Sequence, residues 1–212
     1  MDDKRRRARV QGAWAGKAKA TAHIGTEVHS DWMDCYFITA VSETMNQTEV
    51  QVVRKIPEPR IIDKPGTYEI STSASGVSRL RLFPSFIEPK EAEWMFEQLY
   101  RENPWRQKSN VGPDGPYQEP RLTCWYGEVP YTYSKSTMQA NPHWHPLLTM
   151  LKDRIEEVTA YSFNSLLCNL YRHDKDSIDW HSDDEPDLGK NPTIASLSFG
   201  ETRVFQMRKK PP

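Results

Sequence analysis

Asn169-Leu170-Tyr171-Arg172-His173-Asp174-Lys175-Asp176-Ser177-Ile178-Asp179-Trp180-His181-Ser182-Asp183-Asp184-Glu185-Pro186 is the stretch on which the reading of this chain turns. At its centre stands His181-Ser182-Asp183. In extended backbone, successive side chains point to opposite faces, so positions i and i+2 share a face, roughly 6–7 Å apart at Cα. An imidazole and a carboxylate placed that way lean onto one metal ion. Two protein ligands leave a metal mostly open, and a third, distant His completes the two-His-one-carboxylate facial set that suits non-haem Fe(II). By itself H-x-D is a weak signal, because so short a motif is more often a solvated turn.

The flanks give the motif its context. Phe163–Tyr171 reads as a strand with apolar Leu166, Leu167, Cys168 and Leu170, and Thr193–Phe199 reads as another, followed by a turn at Gly200-Glu201 and the run Arg203–Lys209. Upstream, Leu148, Leu151, Ile155 and Val158 fall at helical spacing, as do Ala92, Met95, Phe96, Leu99 and Tyr100 behind Pro89. Proline suits the first turn of a helix, where its missing N–H costs nothing, and Pro104 stops this one. Both stripes are core. Arg79–Phe83 alternates as a half-buried strand, Arg121–Gly127 is strand-like, and Ser109–Pro116 is a Gly/Pro/Asn loop. Ile61–Asp63 and Tyr68–Ile70 read as short strands around a Pro65-Gly66 turn. In His143-Trp144-His145, flanking prolines and an adjoining helix start favour packing or capping over metal binding. Helices on a set of strands give an α+β domain.

Residues 1–50 read as a disordered or variable tail, and 51–212 as the folded domain. Lys4–Arg9 is basic, either a nuclear import signal, a loose phosphate contact or a solvated terminus. The chain has 212 residues with a net charge of −1, so bulk electrostatics does not draw it to nucleic acid and any such contact must be a local patch. Three scattered Cys with no C-x-x-C suggest neither a disulfide framework nor a zinc site and fit a reducing compartment. No signal peptide or membrane span is visible.

The run from Asn169 through Arg208, with its H-x-D between two strands, resembles the AlkB family of Fe(II)- and 2-oxoglutarate-dependent dioxygenases, over about Gln51–Pro212. The resemblance implies a double-stranded β-helix, or jelly roll, buttressed by helices. It implies His181 and Asp183 as Fe(II) ligands, with Trp180 packed beside them to exclude water, and Asn169 and Tyr171 against 2-oxoglutarate. Neutral amide and phenol donors suit a dicarboxylate near iron. With O2 the implied reaction is oxidative demethylation of N1-methyladenine and N3-methylcytosine in single-stranded DNA and RNA, in nucleus and cytoplasm, releasing formaldehyde and succinate. Trp105, Tyr131 and Tyr133 would sandwich an everted base, Arg121 would meet the phosphate backbone or base edge, and Asp184 the cationic ring. Glu185 is expected to brace Arg203. In the family a third ligand His and two arginines for the far carboxylate come downstream of the position where this chain stops. The same resemblance therefore makes the jelly roll incomplete at its C-terminus, and the chain inactive alone or a non-catalytic form that binds nucleic acid or repair partners. The Asn110–Gly115 loop, a lid in the family, also departs in its chemistry and leaves strand preference open.

Overall fold

Alternation along two strands sets the architecture. Leu166, Cys168 and Leu170 point one way and join a hydrophobic cluster, while Asn169 and Tyr171 are buried on the other side. Ala195, Leu197 and Phe199 likewise face the cluster, with Ser196 and Ser198 buried opposite. One sheet therefore has an apolar face and a polar face, both shielded from water.

The computed structural model describes residues 8–16, 36–43, 60–73, 76–112, 115–133, 136–183, 185, 188, 189 and 192–208, with 36–43, 73, 133 and 136 in backbone only. In chain order the elements are β1 (Arg9–Gly16), β2 (Tyr36–Glu43), β3 (Gly66–Ser73), β4 (Gly76–Pro84), α1 (Pro89–Glu102), β5 (Ser109–Gly112), β6 (Gly115–Gln118), β7 (Leu122–Gly127), β8 (Tyr131–Tyr133), β9 (Ser136–Met138), α2 (Pro146–Thr159), β10 (Ser165–Tyr171) and β11 (Thr193–Gly200). Seven strands form one sheet in the order β3-β4-β2-β11-β1-β10-β7, and β5-β6 and β8-β9 are separate hairpins. The α+β expectation holds. Among the described residues the large sheet is open at β3 and β7, and no closed barrel forms.

Helix α1 starts at Glu88, whose carboxylate accepts from the Lys90 and Glu91 N–H groups, with Pro89 in the first turn. It ends at Asn103 in extended backbone, the conformation that Pro104 imposes on its predecessor. Ala92, Met95, Phe96 and Leu99 are its buried stripe. His145 caps α2, taking the Leu147 N–H on Nδ1, so its Nε2 donates to Glu102 Oε2 at 3.0 Å. Capping, not metal binding, accounts for His145. The helices are clamped by Arg154, whose two nitrogens reach the Glu91 carboxylate at 2.7 and 3.0 Å. Leu148, Leu151 and Ile155 seat α2 in the cluster. No helix among the described residues is long and apolar enough to cross a membrane.

Three expectations are corrected. Residues 9–16 and 36–43, assigned to a tail, are strands inside the sheet, and β1 lies between β10 and β11, paired antiparallel with both. Its driving force is the alternation of Val10 and Trp14 into the apolar cluster, which burial of about 25 cal/mol per Å² rewards. The Ser109–Pro116 loop contains a hairpin, β5-β6, closed around Gly115 at φ 110°, a left-handed conformation glycine adopts without strain. Ile61–Asp63 forms no strand, and Ile61 is exposed; β3 begins only at Gly66, past the proline that cannot donate to a ladder.

Candidate metal centre and cosubstrate pocket

Past Tyr171 the chain leaves the sheet through a tight loop. Asp176 is buried and accepts from the Arg172 backbone N–H at 2.9 Å and from its guanidinium at 2.7 and 3.0 Å. Burial alone raises a carboxyl pKa, but here the Arg172 hydrogen bonds and charge outweigh it and hold Asp176 below its usual range. Ser177 N–H then bonds to the Pro120 carbonyl at 2.8 Å, which pins the segment against the entrance to β7. Arg203, just past β11, closes the loop from below. It donates to the carbonyls of His173 and Asp176 and lies over the Tyr171 ring, 5.1 Å from its centroid. The expected Arg203–Glu185 brace is not what holds this arginine; Glu185 has a buried carboxylate oxygen without a hydrogen-bond partner.

His181 and Asp183 converge, though outside any ladder, because the segment is irregular. Nε2 of His181 stands 3.5 Å from Oδ1 of Asp183. Nδ1 lies 2.8 Å from the Asp179 carbonyl. A carbonyl only accepts, so Nδ1–H donates to it, and Nε2 is the ring nitrogen that faces Asp183. Two ligands at right angles with bonds of about 2.1 Å stand about 3 Å apart, so this pair needs only a small closure to share one cation. The donor set, one imidazole and one carboxylate, suits Fe(II). Among the described residues no group of three or more His, Cys, Asp and Glu gathers in one place.

The polar face of the sheet holds the two residues assigned to the cosubstrate. Asn169 and Tyr171 are buried on β10, and the Asn169 oxygen accepts from Arg121 Nε at 3.1 Å. With its oxygen so used, the amide has its N–H donors left for a ligand. Arg121 in turn pairs with buried Glu119 at 2.9 Å, and Glu119 holds Asn110 of β5 at 2.7 Å. The β5-β6 hairpin is thereby tied to the site. A cavity of about 160 Å³ opens there, lined by Arg121, Tyr117, Ser177, Asp179, Trp180 and His181 among others. Burial raises the Tyr171 phenol pKa, against the pull of Arg121, Arg9 and Arg203, so the ring stays an O–H donor. A second cavity, about 500 Å³, lies along β7 and includes Arg106, Lys108, Trp125 and Met138. Burial there lowers the Lys108 pKa.

The other site residues fall differently. Trp105 packs partly against the core and donates its indole N–H to the Tyr100 carbonyl at 3.0 Å. Tyr131 is buried and stacks on Trp125, centroids 4.5 Å apart. Trp180, expected to pack and exclude water, is 51% exposed and carries Arg208 over its ring at 4.1 Å. Asp184 lies outside the described residues, and Tyr133 is described in backbone only. The sequence reading missed Arg9 and Gln11 of β1 and Ser196 and Ser198 of β11. For Ser196 and Ser198 a signal was available, hydrophilic residues at every second position of an otherwise apolar strand; for Arg9 and Gln11 it was not, because β1 carries too sparse an apolar period to read as a strand.

The comparisons with known proteins follow this geometry. Residues 79–212 match the model of the 2OG-Fe(II) oxygenase superfamily. The whole chain aligns with alpha-ketoglutarate-dependent dioxygenase alkB homolog 3 of Homo sapiens, 55% identical over 78% of that protein's length. The same-named protein of Bos taurus is 57% identical over 78% of its length. DNA oxidative demethylase ALKBH2 of Bos taurus is 40% identical over 43% of this chain and 33% of its own length. The similarity thus reaches across residues 1–50, which the resemblance left out. On these matches the chain belongs to the AlkB family of 2OG-Fe(II) oxygenases, dioxygenases that use Fe(II), 2-oxoglutarate and O2.

Proposed function

We propose that this protein oxidatively demethylates N1-methyladenine and N3-methylcytosine in single-stranded DNA and RNA, releasing formaldehyde and succinate. One observation carries the reading: His181, with Nδ1–H bonded to the Asp179 carbonyl, turns Nε2 to Asp183 at 3.5 Å and lines a cavity that Arg121 also lines. Support for a nucleic-acid substrate comes from the names of the relatives, one of which is a DNA oxidative demethylase.

Fe(II) with 2-oxoglutarate and O2 supplies the oxidant for the N-methyl carbon. The chain's own residues do the rest. His181 and Asp183 would hold the metal, and the Asp179 carbonyl keeps the imidazole in the binding tautomer. Asn169 N–H and Tyr171 O–H would donate to carboxylate oxygens of the cosubstrate, and Arg121 holds the amide oxygen. The base must leave its stack to reach the metal. Tyr117 and Arg121 offer it a π face and a cation at the cavity. Trp105, Tyr131, Tyr133 and Asp184 keep their assignment as substrate contacts, with Asp184 suited to the positive charge of a methylated ring. We read the sheet's polar face as the inner wall of a jelly roll. The basic run at Lys4–Arg7 fits residence in both nucleus and cytoplasm.

The test is formaldehyde release from a single-stranded oligonucleotide carrying N1-methyladenine, with Fe(II) and 2-oxoglutarate, for the wild-type chain and for His181→Ala. Release from the first and none from the second is expected. Equal release from both would remove His181 from the chemistry, and none from the wild type would favour a form that binds nucleic acid without turning it over.

A further inference from the structure

The outer edge of β7 is covered only at its two ends. Thr123 exchanges both backbone hydrogen bonds with Arg106, at 2.8 and 2.9 Å, and Gly127 does the same with Asn141, at 2.9 and 3.0 Å. In an antiparallel strand the backbone groups of alternate residues point to the same edge. Trp125, midway, therefore turns its N–H and C=O the way Thr123 and Gly127 do, away from β10 and into the gap between the two covering segments. The cavity of about 500 Å³ opens at this gap, over buried Thr123, Cys124 and Trp125. Its described lining includes two cations, Arg106 and Lys108, and the amides of Gln139 and Asn141, but no carboxylate. The Trp125 indole is already engaged, stacked on Tyr131 and donating to the Val129 carbonyl at 3.0 Å, so the strand offers a ligand its backbone.

A peptide strand does not fit there. Thr123 to Gly127 spans roughly 13 Å, and both ends are already paired, so an extended chain would find one residue to bond and no room to run on. A flat group with a donor beside an acceptor does fit. A nucleobase edge is such a group: adenine carries N7 beside its N6 amine. The two cations suit the phosphates that come with it. We propose that this cavity is an accessory site for an unmodified nucleotide of the strand under repair, its base edge on the Trp125 backbone and its phosphates on Arg106 and Lys108. This rests on the reading of single-stranded nucleic acid as the substrate. The cavity adjoins the candidate metal centre: Lys108 accepts the Glu119 N–H on its carbonyl at 2.8 Å, and Glu119 and Arg121 line the first cavity. Arg121 and Thr123, one from each cavity, are two positions apart, at most roughly 7 Å, about the rise of two stacked nucleotides. A strand with its everted base in the first cavity lays a near neighbour over the second.

The experiment is fluorescence anisotropy of a labelled, unmodified single-stranded nonanucleotide on the full chain, without added metal. Arg106→Gln and Lys108→Gln should each weaken binding about fivefold and lower the slope of log affinity against log salt by about 0.7. Lys90→Gln, on the exposed face of α1, should do neither; an equal loss in all three variants, or none in the first two, overturns the site. Hydrogen exchange on the wild-type chain needs no variant. The nonanucleotide should slow exchange at the Trp125 amide, and a nonanucleotide of abasic residues, which keeps the phosphates, should not; equal effects, or none, remove the base from this edge. Adenosine monophosphate binding as tightly as the nonanucleotide would make this a site for free nucleotide and overturn its assignment to the strand. Neither measurement needs turnover, so the two ideas separate. A chain that binds as expected but releases no formaldehyde loses the catalytic reading and keeps the accessory site. Formaldehyde release by Arg106→Gln with wild-type KM and wild-type oligonucleotide affinity keeps the catalytic reading and removes the site. If no oligonucleotide binds, both fall.

Discussion

Asp176 looks like a loop residue in the sequence and is a buried anion in the structure. Two points of a carboxylate grip one arginine, and Arg203 grips the carbonyl of the same residue. Its pKa is depressed, so its stabilisation is present above the unfolded value of about 3.9 and is lost as pH falls through the lower folded value. Asp176→Asn should therefore cost about 2 kcal/mol at pH 7, the range for a hydrogen bond to a charged group, reduced because Arg172 is a third exposed. Urea melts at pH 7 and pH 3 check this: the gap between variant and wild type should narrow at the lower pH. A gap that persisted would mean the amide fails for steric reasons. Of the site residues, the His181–Asp183 pair was legible from its i, i+2 spacing, whereas Asn169 and Tyr171 came from the resemblance to the AlkB family. Arg121 was legible as a cation near the site, but its hold on Asn169 required knowing that β7 lies beside β10.

At the scale of elements, β1 is held where it is partly by one glycine. Gly200 has φ +90°, and a Cβ there would run into the Ala8 carbonyl and the Phe96 ring. Any side chain meets backbone on one side and helix α1 on the other, in a conformation that L-residues disfavour. Gly200→Ala is expected to destabilise the chain by about 2–4 kcal/mol, from strain plus displacement of the strand end. Thermal melting checks the size. Faster amide exchange confined at first to residues 8–12 checks the place. Helices α1 and α2 were legible from their 3.6-residue stripes, and β4, β7, β10 and β11 from alternation. β1 was not, because only Val10 and Trp14 carry its apolar period, with Gly12 between them, and small basic residues follow.

For the whole molecule, the consequence is that the centre of the sheet is made by sequence ends brought together. β1 joins β10 and β11, partners more than 150 residues away in the chain. Deleting residues 1–16 would open two inner strand edges and uncover Leu166, Leu170, Leu197 and Phe199. Such a chain is expected to lose its cooperative melt and to aggregate at micromolar concentration, measured by near-ultraviolet dichroism and light scattering; a sharp transition near that of the full chain would show β1 to be dispensable. The sequence by itself determined the local elements and marked His181 and Asp183 as a candidate pair, since periodicity and i, i+2 spacing are properties of neighbouring residues. Only the tertiary structure decided which strands adjoin, that the apparent tail enters the sheet, and that Arg9 stands beside Tyr171. Those facts depend on burying one apolar face against two helices, a gain shared among segments that no local pattern connects.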